Sequence, residues 1–446
     1  MINEYQITLP FTSISGKKVK ADFTGGVLTS DAGVVFLREI EKRMGVIKRL
    51  ASVLADRRHQ SYIDHSYEEL LSQRIYQIVC GYEDANDCND LRTDPAIKFA
   101  CDRLPITGAA LASQPTMTRL ENSVSRTDLY RIGRALVDIF LDSYSKPPKE
   151  IVLDVDDTNN TIHGQQQMRL FNAYYDQYCF QPLHIYEGRS GKLITTILRP
   201  GKRPNGTETR SMLKHLVRYI RERWPEVVIF LRGDSHFSTP ELHEWAEAND
   251  VLFALGQSAN FVLKEKAADL LQRARELYQK GGNKVRLIGE FEYQAESWDK
   301  PRRVICKAEV SSRGDNLRFV TVNFQSLRPS VVYSTIYCAR GRMENFIKNH
   351  KNFLHSDRTS CHSFKANQFR LFLHSAAYVL LHALAEKGLK DSKWAKAQFN
   401  TIQNRILKVG ARVKEMVTRV RFHLPTSFPL KELFEKILFN LATAFP

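Results

Sequence analysis

The only acid between Asp315 and Asp357 is Glu344, and it sits in Tyr337-Cys-Ala-Arg340-Gly-Arg342-Met343-Glu344-Asn-Phe346-Ile347-Lys348-Asn-His350-Lys351, among groups that grip phosphate. A carboxylate is a hard oxygen ligand for a divalent cation, and a guanidinium binds two phosphate oxygens at once. Together they suit metal-assisted attack on a phosphodiester, which needs further acids to share the cation. At about 100° per residue, a helix brings Tyr337, Arg340, Glu344 and Lys351 onto one stripe and Ala339, Met343 and Phe346 onto another. A solvated helix whose acid pairs with its basic neighbours is the ordinary explanation of such a face. The identities argue against it. With each type at about one residue in twenty, Tyr-x2-Arg-x3-Glu-x6-Lys arises by accident in only a few chains per thousand of this length.

Partner acids must come from upstream strands. Past Pro147-Pro148, Ile151-Val-Leu153-Asp154-Val155-Asp156-Asp157-Thr158 reads as a buried strand with Asp154 and Asp156 on one face. Strands Pro182 to Tyr186 and Lys192 to Leu198 follow, joined by Glu187-Gly-Arg-Ser-Gly191 and leading to the basic loop Arg199-Pro-Gly-Lys202-Arg203. A helix (Thr207 to Arg223), a strand (Val227 to Leu231) running into Arg232-Gly233-Asp234-Ser235-His236, a helix (Pro240 to Asn249) and a strand (Val251 to Leu255) complete the series. That order predicts a ribonuclease-H-like, retroviral-integrase-like α/β core. In such a core an acid ending the first strand, one after the fourth and one on a late helix meet; Asp156, Asp234 and Glu344 hold those places. Three converging carboxylates repel unless cations neutralise them, and oxygen-only ligands suit two Mg²⁺ or Mn²⁺ ions about 4 Å apart.

The remaining segments give a multidomain α+β chain. Residues 1–146 read as an extended arm (Ile7 to Gly26) and a helical DNA-binding domain, in which Gln114, Thr116 and Arg119 of Ser113-Gln-Pro-Thr116-Met-Thr118-Arg119 face a major groove in helix-turn-helix fashion, or form an ordinary capped surface helix. Residues 147–258 and 333–388 make the two parts of the core. Between them, residues 259–332 carry a helix (Leu263 to Tyr278) and three alternating stretches, Lys284 to Tyr293, Arg302 to Ala308 and Leu317 to Asn323, which predict an inserted β-rich subdomain. Trp298, with Tyr293, Arg302 and Arg303, either stacks on an unpaired base or is a buried tryptophan. Residues 389–446 are basic, with strand-like stretches Ile406 to Val413 and Val417 to Leu424 and a closing helix from Leu430; they read as a DNA-backbone or dimer element, or as a solvated basic face.

Composition sets the partner. Sixty-five Lys and Arg against 49 acids give +16, which points to a polyanion, and nucleic acid before membrane because no basic amphipathic anchor stands out. No long uncharged apolar run or signal peptide is present, so a soluble protein with no membrane partner is expected. The seven cysteines show no zinc or disulfide spacing and fit a reducing cytoplasm.

These motifs resemble those of DDE transposases of bacterial insertion sequences, the superfamily with the Tyr-Arg-Glu-Lys signature, and most of all its thirteen-eighty group. The resemblance rests on Leu153-Asp-Val-Asp156-x-Thr158, Pro182-Leu, Leu198-Arg-Pro-Gly201, Arg232-x-Asp234-Ser, Arg342-x-Glu344 and Asn367-x2-Arg370-Leu. It implies a nucleoid-associated enzyme that binds terminal inverted repeats, cuts the element ends and joins them to target DNA, acting as a homodimer in the DNA complex. It further implies that Tyr337, Arg340 and Lys351, flanked by Arg342 and Lys348, grip the end phosphates. The superfamily places Thr or Ser one or two positions after its first aspartate, which favours Asp156, while Asp154 on the same face stays the alternate. Two rivals remain. Asp154-x-Asp156-x-Thr158 also fits the nucleophile loop of haloacid-dehalogenase-like phosphatases, with Asp154 as nucleophile, and a DNA-binding protein without catalysis would keep the charge and lack the convergence.

Overall fold

The computed structural model describes residues 9–202 and 205–444. Ile7 of the expected arm and Arg203 of the basic loop lie outside them. The chain divides into two units: one holds the described residues as far as Asp128 together with Phe353–His355 and those from Ala376 on, the other Leu129–Asn352 and Ser356–Ser375.

The second unit is built on one eight-stranded sheet: β1 (Glu150–Asp157), β2 (Leu183–Glu187), β3 (Leu193–Ile197), β4 (Val228–Gly233), β5 (Val251–Gln257), β6 (Val285–Tyr293), β7 (Arg302–Ser311) and β8 (Gly314–Val322), in the order β6-β7-β8-β5-β4-β1-β2-β3. β4 runs parallel to β1 and β5, and the other neighbours are antiparallel. Ile151, Leu153, Val155, Ile229, Leu231, Phe253 and Leu255 form one apolar cluster with Leu213, Val217 and Ile220 of helix Gly206–Arg223 and Leu242 and Trp245 of helix Pro240–Ala248. Each such side chain contributes about 1.5–3 kcal/mol on burial. Asn205 starts the first of these helices with a reciprocal capping box to Glu208. On the outermost strand of the other end, Leu198 N donates to Gln368 Oε1 at 2.6 Å and Thr196 shares a hydrogen bond with Ser375, both from helix Phe364–Ala383.

The inserted strands depart from expectation. They do not form a sheet of their own: Phe319–Val322 pair with Ala254–Gln257, so β8, β7 and β6 extend the same sheet past β5. Pairing satisfies the edge that β5 would otherwise expose. One face of this extension packs on helices Phe261–Lys266 and Ala268–Gly281, and Ile305, Val320 and Val322 of the other pack on Val332 and Tyr333. A small sheet of Asn160–Thr161, Gln177–Phe180 and Leu170–Asn172 follows β1 and was not legible from periodicity.

In the first unit, helices Val34–Met44, Val46–Ser52, Tyr67–Val79, Pro95–Ala100, Gln114–Ser123 and Lys431–Ala444 accompany strands Leu28–Thr29, Ala411–Met416 and Arg419–His423, which form one sheet. Ile406 and Leu407, expected to begin a strand, belong instead to the turn Gln403–Leu407 that continues helix Phe399–Ile402. Lys408 is not a free backbone contact: its ammonium lies 2.9 Å from the buried Asp31 and over the Tyr82 ring. Among the described residues no helix is long and apolar enough to cross a membrane.

Candidate active site

Parallel register places the two aspartates. Asp154 on β1 is the register partner of Arg232 on β4, and Asp156 and Asp234 each lie two residues further in the same direction. Both acids therefore reach the same end of neighbouring strands. Their proximity is electrostatic as well as geometric: burial pushes the Asp156 carboxyl up to about 7, with Asp234 and Asp157 adding to the rise and the Arg340 guanidinium opposing it.

The two aspartates of β1 differ in burial and in partners. Asp154 is 0% exposed, and the Arg232 guanidinium holds both its oxygens, Nε to Oδ1 at 2.6 Å and Nη2 to Oδ2 at 2.7 Å. Arg232 Nη1 donates to the Ile336 carbonyl at 2.7 Å, tying the sheet to the Tyr337 segment. An acid locked in a buried fork is available neither as a nucleophile nor as a metal ligand, which removes the basis of the phosphatase reading. Asp156, with its side chain 17% exposed, is the accessible one. Gly188 makes room for the fork: a Cβ there would lie 2.3 Å from both Arg232 Nη2 and Asp154 Oδ2. Gly188→Ala is expected to cost about 3 kcal/mol and to lower Tm by roughly 5–10 °C in thermal melts; a parental Tm would show that the fork tolerates displacement.

The Tyr337–Lys351 stretch departs from the regular helix its spacing assumes. It is a π turn (Val332–Tyr337), a 3₁₀ turn (Cys338–Gly341), a short α-helix (Arg342–Lys348) and a second π turn (Asn349–Phe353). A 3₁₀ turn advances about 120° per residue, so residues on either side of Cys338–Gly341 lose the shared stripe. Tyr337 and Arg340 still turn to the aspartates. A Cβ on Gly256 would lie 2.6 Å from Tyr337 Oη and 3.2 Å from the Asp234 carbonyl carbon, so ring, glycine and acid loop are packed together. Burial raises the Tyr337 hydroxyl pKa, Arg340 opposes that rise and Asp234 adds to it. Arg340 Nη2 donates to Asp156 Oδ2 at 2.7 Å. The guanidinium is thus paired, in a part-buried position, with the candidate catalytic acid and not with a surface group.

Lys351 turns elsewhere on the strand end. Its ammonium donates to Thr158 Oγ1 and Asn159 Oδ1, both at 3.1 Å, and to the Asn159 carbonyl. Burial lowers its pKa, with Asp357 opposing. Glu344 is exposed, with no hydrogen bond or ion pair among the described residues, because Met343 and Phe346 anchor the helix: Met343 is fully buried and Phe346 packs on Tyr186. Arg342 and Lys348 are likewise exposed. The expected three-acid group is thus not formed, and no set of three or more metal-ligating side chains is present among the described residues. Asp156 and Asp234 do suit a divalent cation, as oxygen donors whose mutual repulsion already shows in the raised Asp156 pKa.

Trp298 is a buried side chain, 6% exposed, packed on Tyr293 and His243 with Arg302 above its ring, so it is not placed to stack on a base. Arg302 is held by Glu247 and Asp299, and Arg303 by Glu290. On helix Gln114–Ser123, Gln114 donates to Thr118 at 2.8 Å and Arg119 to Thr116 at 3.3 Å, while Met117 and Leu120 are buried. Thr116 and Arg119 line a cleft of about 410 Å³ with Arg58, Tyr62, Tyr67 and Arg92.

Spacing alone missed Arg232 as the neutralising partner of Asp154. The signal was present: Asp-x-Asp on one strand and Arg-x-Asp on its parallel neighbour, at equal offsets, make one salt bridge and one acid pair.

The family model described as transposase DDE domain group 1 matches residues 11–445. No curated protein is similar enough to match the chain. A cryo-EM structure of the piggyBac transposase synaptic complex with hairpin DNA is similar at 12% sequence identity, covering 94% of this chain and 86% of that one, with a TM-score of 0.42.

Proposed function

Because the chain belongs to the transposase DDE domain group 1 family, we propose that it is a DNA transposase of the insertion-sequence type, which binds terminal inverted repeats, cleaves the element ends and joins them to target DNA by two-metal phosphoryl transfer. The observation that carries this reading is Asp156 and Asp234 at one end of parallel neighbouring strands, with Arg340 and Tyr337 turned onto them. The strand order β3-β2-β1-β4-β5 supports a ribonuclease-H-like core. The expected boundaries at 146 and 388 remain the proposed limits of the catalytic core, in which residues 259–332 extend the same sheet, with a homodimer on DNA.

Asp156 and Asp234 are the residues proposed to hold Mg²⁺ or Mn²⁺, and Glu344, which stands exposed on its helix and apart from them, is proposed as the third ligand only in the DNA complex. Such ions lower the pKa of a bound water, or align a DNA 3′-hydroxyl, and stabilise the leaving oxygen. Arg340 contributes differently: Nη2 holds Asp156 in place, and Nη1 is left for a non-bridging phosphate oxygen. Tyr337, half-buried against the Asp234 loop, excludes water there and offers its hydroxyl to the same phosphate. Lys351 fixes the chain after Asp157 through Thr158 and Asn159, so its charge neutralises DNA phosphates at the strand end. Arg342, Lys348 and the Gln114–Arg119 helix supply exposed contacts to DNA.

The test is purified protein incubated with Mg²⁺ and labelled element ends, scored for strand cleavage across pH. Asp156 keeps its proton below about 7 and must lose it to ligate. Cleavage at limiting Mg²⁺ is therefore expected to fall as pH drops through about 7, with the midpoint moving lower as Mg²⁺ rises. A midpoint indifferent to Mg²⁺ would contradict this assignment of Asp156, and the absence of cleavage at every pH would overturn the transposase reading.

A further inference from the structure

The ladder between β1 and β4 ends at the pair Asp154 and Arg232. Asp156 and Asp234 lie beyond that last pair, where two like charges push the strand ends apart and no backbone pairing opposes them. A chain of contacts, its last link a backbone N–H, spans this gap. Arg199 donates through Nε to the Gln181 carbonyl at 3.0 Å and through Nη2 to Asp157 Oδ2 at 2.8 Å. Asp157 Oδ1 faces His236 Nδ1 at 3.7 Å, and the His236 backbone N–H donates to Asp234 Oδ1 at 2.9 Å. Asp157 is next in the chain to Asp156, so the contacts begin at one acid and end at the other.

We propose that Arg199, Asp157 and His236 form a positioning relay that sets the separation of Asp156 and Asp234; the inference rests on the reading of those two acids as cation ligands. The relay gives a task to Arg199 of the Leu198-Arg-Pro-Gly segment and to His236 of the Asp234-Ser-His segment, neither of which is among the proposed cation ligands or phosphate contacts. Asp157 cannot act as a third ligand, since its side chain is 4% exposed and its two oxygens face Arg199 and His236. His236, 34% exposed, can be replaced without opening the core.

The experiment uses the full chain without DNA. Mn²⁺ binding is measured by calorimetry for the parent, His236→Ala, His236→Asn and Asp234→Asn, alongside thermal melts. His236→Ala is expected to weaken Mn²⁺ binding about 10- to 100-fold without lowering the melting temperature. His236→Asn, whose amide nitrogen takes the place of Nδ1, should recover most of the affinity. A purely structural role would move the melting temperature and spare the metal. Parental Mn²⁺ affinity in His236→Ala, equal losses in both variants, or no Mn²⁺ binding by the parent overturns the relay. If Mn²⁺ binding follows the expected order and labelled ends are never cut, the relay stands and the transposase reading fails. Cleavage by His236→Ala at the parental rate and Mn²⁺ dependence leaves the reading and removes the relay.

Discussion

Asp234→Asn is expected to bind element-end DNA like the parent protein and to cut it at least about 10³-fold more slowly. The substitution preserves shape and the capacity to accept from the His236 N–H, which reaches Oδ1 at 2.9 Å, and it removes the charge that a cation requires. DNA affinity, by contrast, comes from many Lys and Arg side chains spread over a chain of net charge +16, so the loss of one negative charge in a cleft does not weaken it. The two measurements are gel retardation and single-turnover cleavage of the same labelled ends. Joint loss of binding and cleavage would make Asp234 a structural residue. Cleavage surviving within a few-fold would remove it from the chemistry altogether.

The second large effect is expected at Arg340. Arg340→Lys keeps the charge, yet should slow cleavage on the order of 10²-fold. The planar fork reaches Asp156 through Nη2 at 2.7 Å, and its buried Nε has no hydrogen-bond partner among the described residues. One ammonium cannot hold the acid and a phosphate oxygen in that fixed geometry. Parental cleavage by Arg340→Lys at matched salt would return the Tyr337–Lys351 stretch to an ordinary charged surface.

Much of the second unit was legible because its strands are long apolar runs. Ile151 to Thr158, Val227 to Leu231 and Val251 to Leu255 were each read within two residues of their observed bounds, since central parallel strands bury both faces. Periodicity failed where it assumed one helix. The stripe of Tyr337, Arg340, Glu344 and Lys351 presumes an even turn per residue, and two π turns and a 3₁₀ turn break it, so Arg340 meets Asp156 while Glu344 faces solvent. Alternation also could not separate Asp154 from Asp156, because both fall on one strand face; the choice depends on Arg232, 78 residues away in sequence. Trp298 was ambiguous for the same reason. Only the docking of helix Phe261–Lys266, with Leu263 in the same cluster, makes its site a core.

The fork of Asp154 and Arg232 under Gly188 constrains how this chain can change over generations. Removing either charge leaves the other buried and alone, at about 3–5 kcal/mol, against a total stability of only about 5–15 kcal/mol. A side chain at position 188 dislodges both charges at once. No single-step path leads from this trio to an apolar one without an intermediate that has lost a large share of its stability. The three positions, from β1, the turn after β2, and β4, are therefore expected to be inherited as a block. A chimera that takes β1 and β4 from different relatives should fold only when both donors carry the same solution at all three.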